Sequence, residues 1–348
     1  MELRLTDLDR PEGFERLVLA EDASAGLRAL ICVHSTVLGP AAGGCRMWNY
    51  ANDAEAIADV MRLARGMTYK NAMAGLGLGG GKSVIIGDAR RDKTPAMMRA
   101  FGRAVDALKG IYYTAEDVGI SPQDMVYAAA ETRYAVGLSD ASGDPSPWTA
   151  EGVFRCLGIG AAHVFGSADL TGRRVLVQGL GHVGLSLAEK LHVAGADLIV
   201  TDIHTAALED TKTRLEATVC APDEVFDQQM DIFAPCALGG VLNGDSSPKL
   251  GARLVCGAAN NQLATPGIAE KLRARGITYL PDYVVNAGGI ISVASEIHGT
   301  GDAWRRERLD GIAGRVAEML TRATAGNCST EQIADQMVEQ MLREASAA

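Results

Sequence analysis

Two lysines and an aspartate carry the chemistry that this sequence offers. Lys70 lies in Met67-Thr-Tyr-Lys-Asn71, and Lys82 follows twelve residues later in Gly79-Gly-Gly-Lys-Ser83. Asp117 stands in Thr114-Ala-Glu-Asp-Val-Gly119. One ammonium can hold a substrate carboxylate as a point charge. A second, desolvated between cations and apolar walls, is the kind of group that moves protons. A carboxylate beside them can stabilise a substrate ammonium or an iminium, so the set suits an amino acid. Taken singly, each lysine also reads as a solvated or ion-paired surface residue. The apolar, glycine-rich flanks of Lys82 favour the site. A phosphate loop is a poor fit, because that motif needs glycine six positions before its lysine and position 76 is Leu76. The triple glycine instead lets backbone and a buried lysine approach a small substrate closely.

A second site is written in Val175-Leu-Val-Gln-Gly-Leu-Gly-His-Val-Gly184. An apolar strand runs into Gly179-Leu180-Gly181-His182-Val183-Gly184 and then into a helical pattern, the setting that a dinucleotide fingerprint requires. Gly179 permits the tight turn, Gly181 lets backbone approach a pyrophosphate, and Gly184 allows close helix packing. The following helix N-terminus aims N–H groups at the phosphates. His182 sits at a variable position of the motif as an exposed bystander. Asp202 ends the next strand, where an acid binds the ribose hydroxyls and repels the extra phosphate of NADP, so the cofactor is expected to be NAD. On these residues alone, a turn needed only for packing, with Asp202 as a helix cap, stays open.

Strands and helices alternate around both sites. Leu30–His34, Ser83–Ile86 and Ile111–Tyr113 read as strands. Asn52 with Glu55, Thr94-Pro95 and Ser121-Pro122 read as helix starts. Residues 142–148 (Ser-Gly-Asp-Pro-Ser-Pro-Trp) mark a domain boundary. Beyond it, short strands at Val175–Gln178, Leu198–Thr201, Ile232–Ala234, Leu254–Cys256 and Ile277–Leu280 alternate with helices, and two helical segments near 303–323 and 330–344 close the chain. The expected fold is α/β with two domains. The first is a mixed-sheet substrate domain, and the second a Rossmann, doubly wound parallel sheet. The 348 residues are 47% hydrophobic, enough for two cores. A formal net charge of −10 argues against nucleic acid or an anionic membrane as partner. No run reaches the roughly 18 apolar residues of a membrane span, and the N-terminus lacks a signal-peptide core. Seven scattered cysteines read as free thiols of a cytoplasmic protein, and the six histidines lack metal-ligand spacing.

Longer blocks carry a resemblance. They are Leu38-Gly-Pro-Ala-Ala-Gly-Gly-Cys-Arg-Met-Trp48, Arg65-Gly-Met-Thr-Tyr-Lys-Asn71, Gly79–Lys82, Thr114–Gly119, Pro145-Ser-Pro147, Asp231–Gly240, Gly257-Ala-Ala-Asn-Asn261 and Pro281–Gly289. Through them most of the chain resembles the leucine, valine, phenylalanine and glutamate dehydrogenase family, its leucine members above all. The resemblance implies NAD-dependent oxidative deamination of an L-amino acid to a 2-oxo acid and ammonia. It gives Lys70 the substrate carboxylate, with Gly43 and Gly44 beside it. Lys82 becomes the general base that activates water, and Asp117 the partner of the amino group. Thr149, Asn261 and Asn286 would position the nicotinamide and its ribose, and closure between the domains would exclude water. Ala42, Ala115, Ile290 and Val293 would line the side-chain pocket. Leucine dehydrogenases typically carry Leu at the position of Ala42 and Val at that of Ile290, so one change enlarges the pocket and the other refills it. Leucine, isoleucine or valine is the expected substrate, with phenylalanine or tryptophan the alternative. None of the four is charged, which argues against glutamate. The first domain would span 1–144, completed by 326–348, and the NAD domain 145–325. A homo-oligomer, dimeric or larger, is implied, although the tail after residue 340 is short for the octamer common among leucine dehydrogenases. Cys45 and Ile120-Ser121 depart from the family pattern. An inactive NAD-binding regulator would have lost Lys70, Lys82 or Asp117. A hydroxy acid dehydrogenase would show a catalytic histidine in these blocks.

Overall fold

A computed structural model describes residues 3–138 and 144–347. The chain divides into two units, one of Met1–Asp144, Ile290–Arg305 and Val338–Ala348, the other of Pro145–Gly289 and Arg306–Met337. Residues 142 and 143 of the anticipated boundary stretch lie outside the described residues.

The first unit is built on strands β1 (Arg4–Asp7), β2 (Arg16–Asp22), β3 (Leu27–Ser35) and β4 (Ala41–Trp48), helix α1 (Asp53–Ala74), β5 (Gly79–Ile86), α2 (Pro95–Asp106), β6 (Tyr112–Glu116) and α3 (Pro122–Ala129). The sheet order is β1-β2-β3-β5-β4-β6. Neighbours run antiparallel from β1 to β5, whereas β4 lies parallel to both β5 and β6. The sheet is therefore mixed. Alternation along the strands gives each face its own helices. Leu30, Cys32 and Val84 pack with Ala56, Val60 and Ala64 of α1. Ile31, Val33, Ile85 and Tyr112 face the other way, onto Met98, Phe101 and Val105 of α2.

Local chemistry fixes the helix ends. The Asn52 side chain accepts from the Glu55 N–H at 2.9 Å, and α1 stops where Gly75 turns left-handed at φ 65°. Thr94 caps α2, and Ser121 with Asp124 forms a full capping box on α3. Strands β1, β2 and β4 were not anticipated from the sequence. Strand β4 (Ala-Ala-Gly-Gly-Cys-Arg-Met-Trp) begins with four small residues of low strand propensity. The strand expected over Ser83–Ile86 begins earlier, with Gly79–Gly81 as the first residues of β5.

The second unit contains α4 (Ser146–Phe165), β7 (Arg174–Gln178), α5 (His182–Val193), β8 (Asp197–Thr201), α6 (Thr205–Leu215), β9 (Thr218–Val219), β10 (Ile232–Pro235), β11 (Leu254–Val255), α7 (Ile268–Ala274), β12 (Thr278–Tyr279) and α8 (Asp282–Val285). All of its strands are parallel, in the order β12-β11-β10-β7-β8-β9. From β7 the chain steps outward to β8 and β9, then crosses back to place β10 on the other side of β7. Ligands bind such sheets at the carboxyl ends of the strands flanking this reversal. The glycine turn leaves β7 there.

Helices α9 (Gly288–Ile297), α10 (Asp302–Gly326) and α11 (Thr330–Ala347) complete the chain. The units are not divided as 1–144 with 326–348 against 145–325. Residues 290–305 pack with the first unit, where His298 Nε2 donates to the Leu76 carbonyl at 2.7 Å. Residues 306–337 pack with the second, where Arg155 pairs with Asp310 and the Tyr283 hydroxyl donates to Asp335 at 2.7 Å.

Candidate active site

Lys82 and Asp117 meet by crossing a strand. Lys82 lies on β5 and Asp117 directly follows β6, with β4 between them. Gly44 is the β4 residue in the gap. A β-carbon there would stand 2.6 Å from the Glu116 carbonyl oxygen, 2.8 Å from Asp117 Cβ and 3.1 Å from Lys82 Nζ. Without that carbon, Lys82 Nζ reaches Asp117 Oδ2 at 3.0 Å. Lys82 is 6% exposed, so its ammonium is withdrawn from water and held by this carboxylate. The triple glycine also serves the packing of the sheet. Added β-carbons at Gly79, Gly80 and Gly81 would strike the Ser35 carbonyl oxygen, the Thr68 backbone and the Tyr112 ring. These glycines let α1 and the neighbouring strands close on β5.

Arg46, two residues beyond Gly44 on β4, completes the cluster. Its Nε lies 3.2 Å from Asp117 Oδ2, and its Nη1 lies 3.0 Å from Asp59 Oδ2. Asp59 also accepts from the Tyr50 hydroxyl at 2.7 Å and pairs with Arg62. Burial pushes the Asp117 carboxyl upward, but the charges of Lys82 and Arg46 and the Lys82 hydrogen bond outweigh it and hold Asp117 below the ordinary aspartate range. The cluster therefore presents an ionised carboxylate shared by two cations. Arg46 was not singled out from the sequence. The signal was its i+2 spacing from Gly44, which puts both on one face of a strand. Beneath the cluster, burial pushes the Cys45 thiol up to about 12, so it stays neutral.

Lys70 is half-buried on α1, the helix that packs across this face of the sheet. Its neighbour Asn71 is fully buried and donates from Nδ2 to the Gly79 carbonyl (2.6 Å) and the Ala42 carbonyl (3.2 Å), tying α1 to β5 and β4. Gly43 is closely packed, with an added β-carbon 2.0 Å from the Gly81 carbonyl oxygen. Ala42 is wholly buried. Ala115 pairs with Gly44 across β4 and β6. A β-carbon at Gly137 would lie 3.4 Å from Ala115 Cβ and 3.6 Å from Val293 Cγ2, so these three residues converge. Ile290 is half-buried one turn before Val293 on α9. Gly137 was absent from the sequence reading, because it lies far from both partners along the chain.

The second unit brings the fingerprint residues together as a nucleotide turn. Gly179 has φ 99°, and an added β-carbon at Gly184 would lie 1.9 Å from the Gly179 carbonyl oxygen. Around Gly181 an added β-carbon would meet nothing within 4 Å. Gly181 caps α5 without a side-chain hydrogen bond. Asp202 Oδ2 accepts from the Leu180 N–H at 2.6 Å, and Oδ1 from the His204 N–H at 2.8 Å. Tight turn, open approach and an acid at the end of β8 fit a dinucleotide. His182 is exposed and Val183 half-buried. Thr149 lies near the start of α4, 3.5 Å from an added β-carbon at Gly289. Asn286 is buried and donates to the Ala258 carbonyl and to Asn260 Oδ1 at 3.0 and 2.9 Å. Its side-chain partner is thus Asn260. Asn261 is exposed with φ 53°.

A mixed-sheet unit carrying a buried lysine–aspartate pair, with a doubly wound unit carrying a nucleotide turn, defines a two-domain oxidoreductase class. Residues 16–134 match the family model for the Glu/Leu/Phe/Val dehydrogenase dimerisation domain. Residues 200–346 match the glutamate/leucine/phenylalanine/valine dehydrogenase model. The chain is 46% identical over 343 residues to leucine dehydrogenase of Thermoactinomyces intermedius, covering 98% of this chain and 94% of that one. It is 45% identical over 341 residues to valine dehydrogenase of Streptomyces albus, covering 96% and 94%. Among solved structures, L-tryptophan dehydrogenase from Nostoc punctiforme superposes with a TM-score of 0.86 at 38% identity, over 96% of this chain and 97% of that chain. The chain belongs to the glutamate, leucine, phenylalanine and valine dehydrogenase family. It is an amino acid dehydrogenase, catalysing oxidative deamination with a nicotinamide cofactor.

Proposed function

We propose that the substrate is a branched aliphatic L-amino acid (leucine, isoleucine or valine), that the cofactor is NAD, and that Lys82 and Asp117 do the chemistry. The carrying observation is the 3.0 Å pair of Lys82 and Asp117 over Gly44. Lys70 holds the substrate carboxylate, with Gly43 and Gly44 alongside. The substrate amino group is presented to Asp117, where it competes with Lys82 for the shared oxygen. With the substrate ammonium proton passed to Asp117, a bound nicotinamide would supply the acceptor for the hydride on the substrate Cα, leaving an iminium on the substrate. The Lys82 ammonium, released from Asp117, gives its proton to solvent and, as the neutral amine, takes a proton from water as the water oxygen bonds to the iminium carbon. Asp117 then passes the proton it took from the substrate ammonium to the nitrogen. The C–N bond breaks as the hydroxyl oxygen forms the carbonyl and returns its proton to Asp117, and ammonia and the 2-oxo acid depart.

Gly179–Gly184 would cradle the pyrophosphate. Asp202 would take the ribose hydroxyls and repel a 2′-phosphate, which supports NAD over NADP. Thr149, Asn261 and Asn286 are assigned to the nicotinamide end, with Asn260 holding the Asn286 amide. Ala42, Ala115, Ile290 and Val293 are apolar, which suits an aliphatic side chain. The small Ala42 and Ala115, together with the likeness to a tryptophan dehydrogenase, support an aromatic substrate as the second reading. We assign the protein to the cytoplasm as a homo-oligomer joined through its first unit. Among the described residues no helix is long and apolar enough to cross a membrane.

Initial NADH formation at alkaline pH across leucine, valine, isoleucine, phenylalanine, tryptophan and glutamate tests the reading. Fastest turnover of the branched aliphatics is expected. Fastest turnover of aromatics would replace the substrate and keep the mechanism. Oxidation of hydroxy acids but of no amino acid would overturn both.

A further inference from the structure

We infer that Glu296 is a positioning residue that sets how large a substrate side chain the enzyme accepts. The inference rests on the amino acid dehydrogenase reading above and deepens it. Glu296 lies one turn beyond Val293 on α9, so both side chains fall on one side of that helix. Its Oε2 accepts the Gly137 N–H at 2.9 Å. Gly137 ends a short segment that extends the sheet beyond β6. The Thr114 N–H donates to the Tyr134 carbonyl and the Val136 N–H to the Thr114 carbonyl, both at 2.9 Å. At Gly137 the chain turns at φ 77°, and a β-carbon added there would lie 3.4 Å from Ala115 Cβ and 3.6 Å from Val293 Cγ2.

The geometry makes this clamp the wall of the pocket. Ala115 is two residues before Asp117 and is paired with Gly44, so it borders the reacting groups directly. Val293 stands opposite on α9. Gly137 lies between them, with its N–H held by Glu296 Oε2. A glycine has no side chain to pack, so its place depends on the hydrogen bonds to its backbone. Within the described residues 134–138, the Glu296 carboxylate makes the one side-chain hydrogen bond to the Gly137 N–H. Burial raises the Glu296 carboxyl above the ordinary glutamate range, opposed by the Gly137 hydrogen bond and the charge of Arg305. The carboxylate is thus half-withdrawn from water and directed at this amide. Losing it frees the Gly137 turn to move away from Val293 and lengthens the pocket. A pocket altered by one or two methylenes changes selectivity by roughly 10- to 200-fold.

The test compares Glu296→Ala and Glu296→Gln with the unaltered enzyme, measuring kcat and KM for valine, leucine, phenylalanine and tryptophan. Glu296→Ala is expected to shift the ratio of kcat/KM for phenylalanine over leucine upward about 10-fold, chiefly through KM. Glu296→Gln keeps an acceptor oxygen and should hold the original ratio. A Glu296→Ala enzyme with an unchanged ratio overturns the inference, as does a Glu296→Gln enzyme that behaves like it. If Glu296→Ala does not fold, Gly137→Ala is read instead. Its added methyl fills the space between Ala115 and Val293, and it should move preference from leucine toward valine. No change in that ratio overturns the inference. Failure of the underlying reading would look different, because the unaltered enzyme would then oxidise none of the four amino acids.

Discussion

The two sites are made by opposite means. In the first unit, side chains reach across strands to build a charged cluster, and a glycine is needed only to clear the path. In the second, the site is the backbone itself. Glycines remove side chains so that amides and a helix end would face the phosphates of the proposed cofactor. The first arrangement holds charges against burial, so its residues are coupled to one another. Lys82 and Arg46 share one oxygen of Asp117, and Arg46 also anchors Asp59. The second is local, and Asp202 reaches it through one hydrogen bond to Leu180. Damage to the first should therefore strike turnover, and damage to the second should strike coenzyme affinity.

Lys82→Ala should break the comparison most severely. It removes the proposed base, and kcat should fall about 10⁴-fold, measured as leucine-dependent NADH formation. Turnover near the original rate would sink the assignment. Arg46→Gln tests the coupling through stability. Lys82 and Arg46 hold Asp117 below its ordinary range, and Arg46 contributes likewise at Asp59. Depressed carboxyl groups stabilise the fold above the unfolded aspartate range, and that stabilisation is lost as pH falls through their lower folded values. The variant should be less stable at neutral pH by roughly 1–3 kcal/mol. The deficit should shrink as pH drops below the aspartate range, as denaturant titrations at several pH values would reveal. A deficit independent of pH would mean that the cluster does not act through these charges. Asp202→Ala should have the smallest effect, raising KM for NAD about 10-fold with kcat nearly kept and improving NADP relative to NAD. An unchanged preference would remove Asp202 from coenzyme selection.

The same contrast governs what the sequence discloses. The nucleotide turn is local, so Gly179, Gly181 and Gly184 with the strand before and helix after were readable from one ten-residue stretch. The capped helices starting at Asn52, Thr94 and Ser121 were readable for the same reason. The lysine–aspartate cluster depends on sheet order, which places β4 between β5 and β6, and no local pattern reports that. Lys82 and Asp117 were recognisable as residue types. The gap at Gly44, the second cation Arg46 and the convergence of Gly137 with Val293 needed the topology. Strand β4 was hidden by its small residues, and the packing of 306–337 with the second unit by the uniform helical pattern of the tail.

Gly44→Ala tests the central claim most directly, because it leaves every charged group in place and closes only the gap. The added methyl would stand 2.8 Å from Asp117 Cβ and 3.1 Å from Lys82 Nζ, so the pair must move apart. Displacing a reacting group by about 1 Å costs on the order of 100-fold. The account predicts that loss in kcat with leucine, together with coenzyme affinity equal to that of the unaltered protein by NADH fluorescence titration. A Gly44→Ala enzyme with full turnover would contradict it.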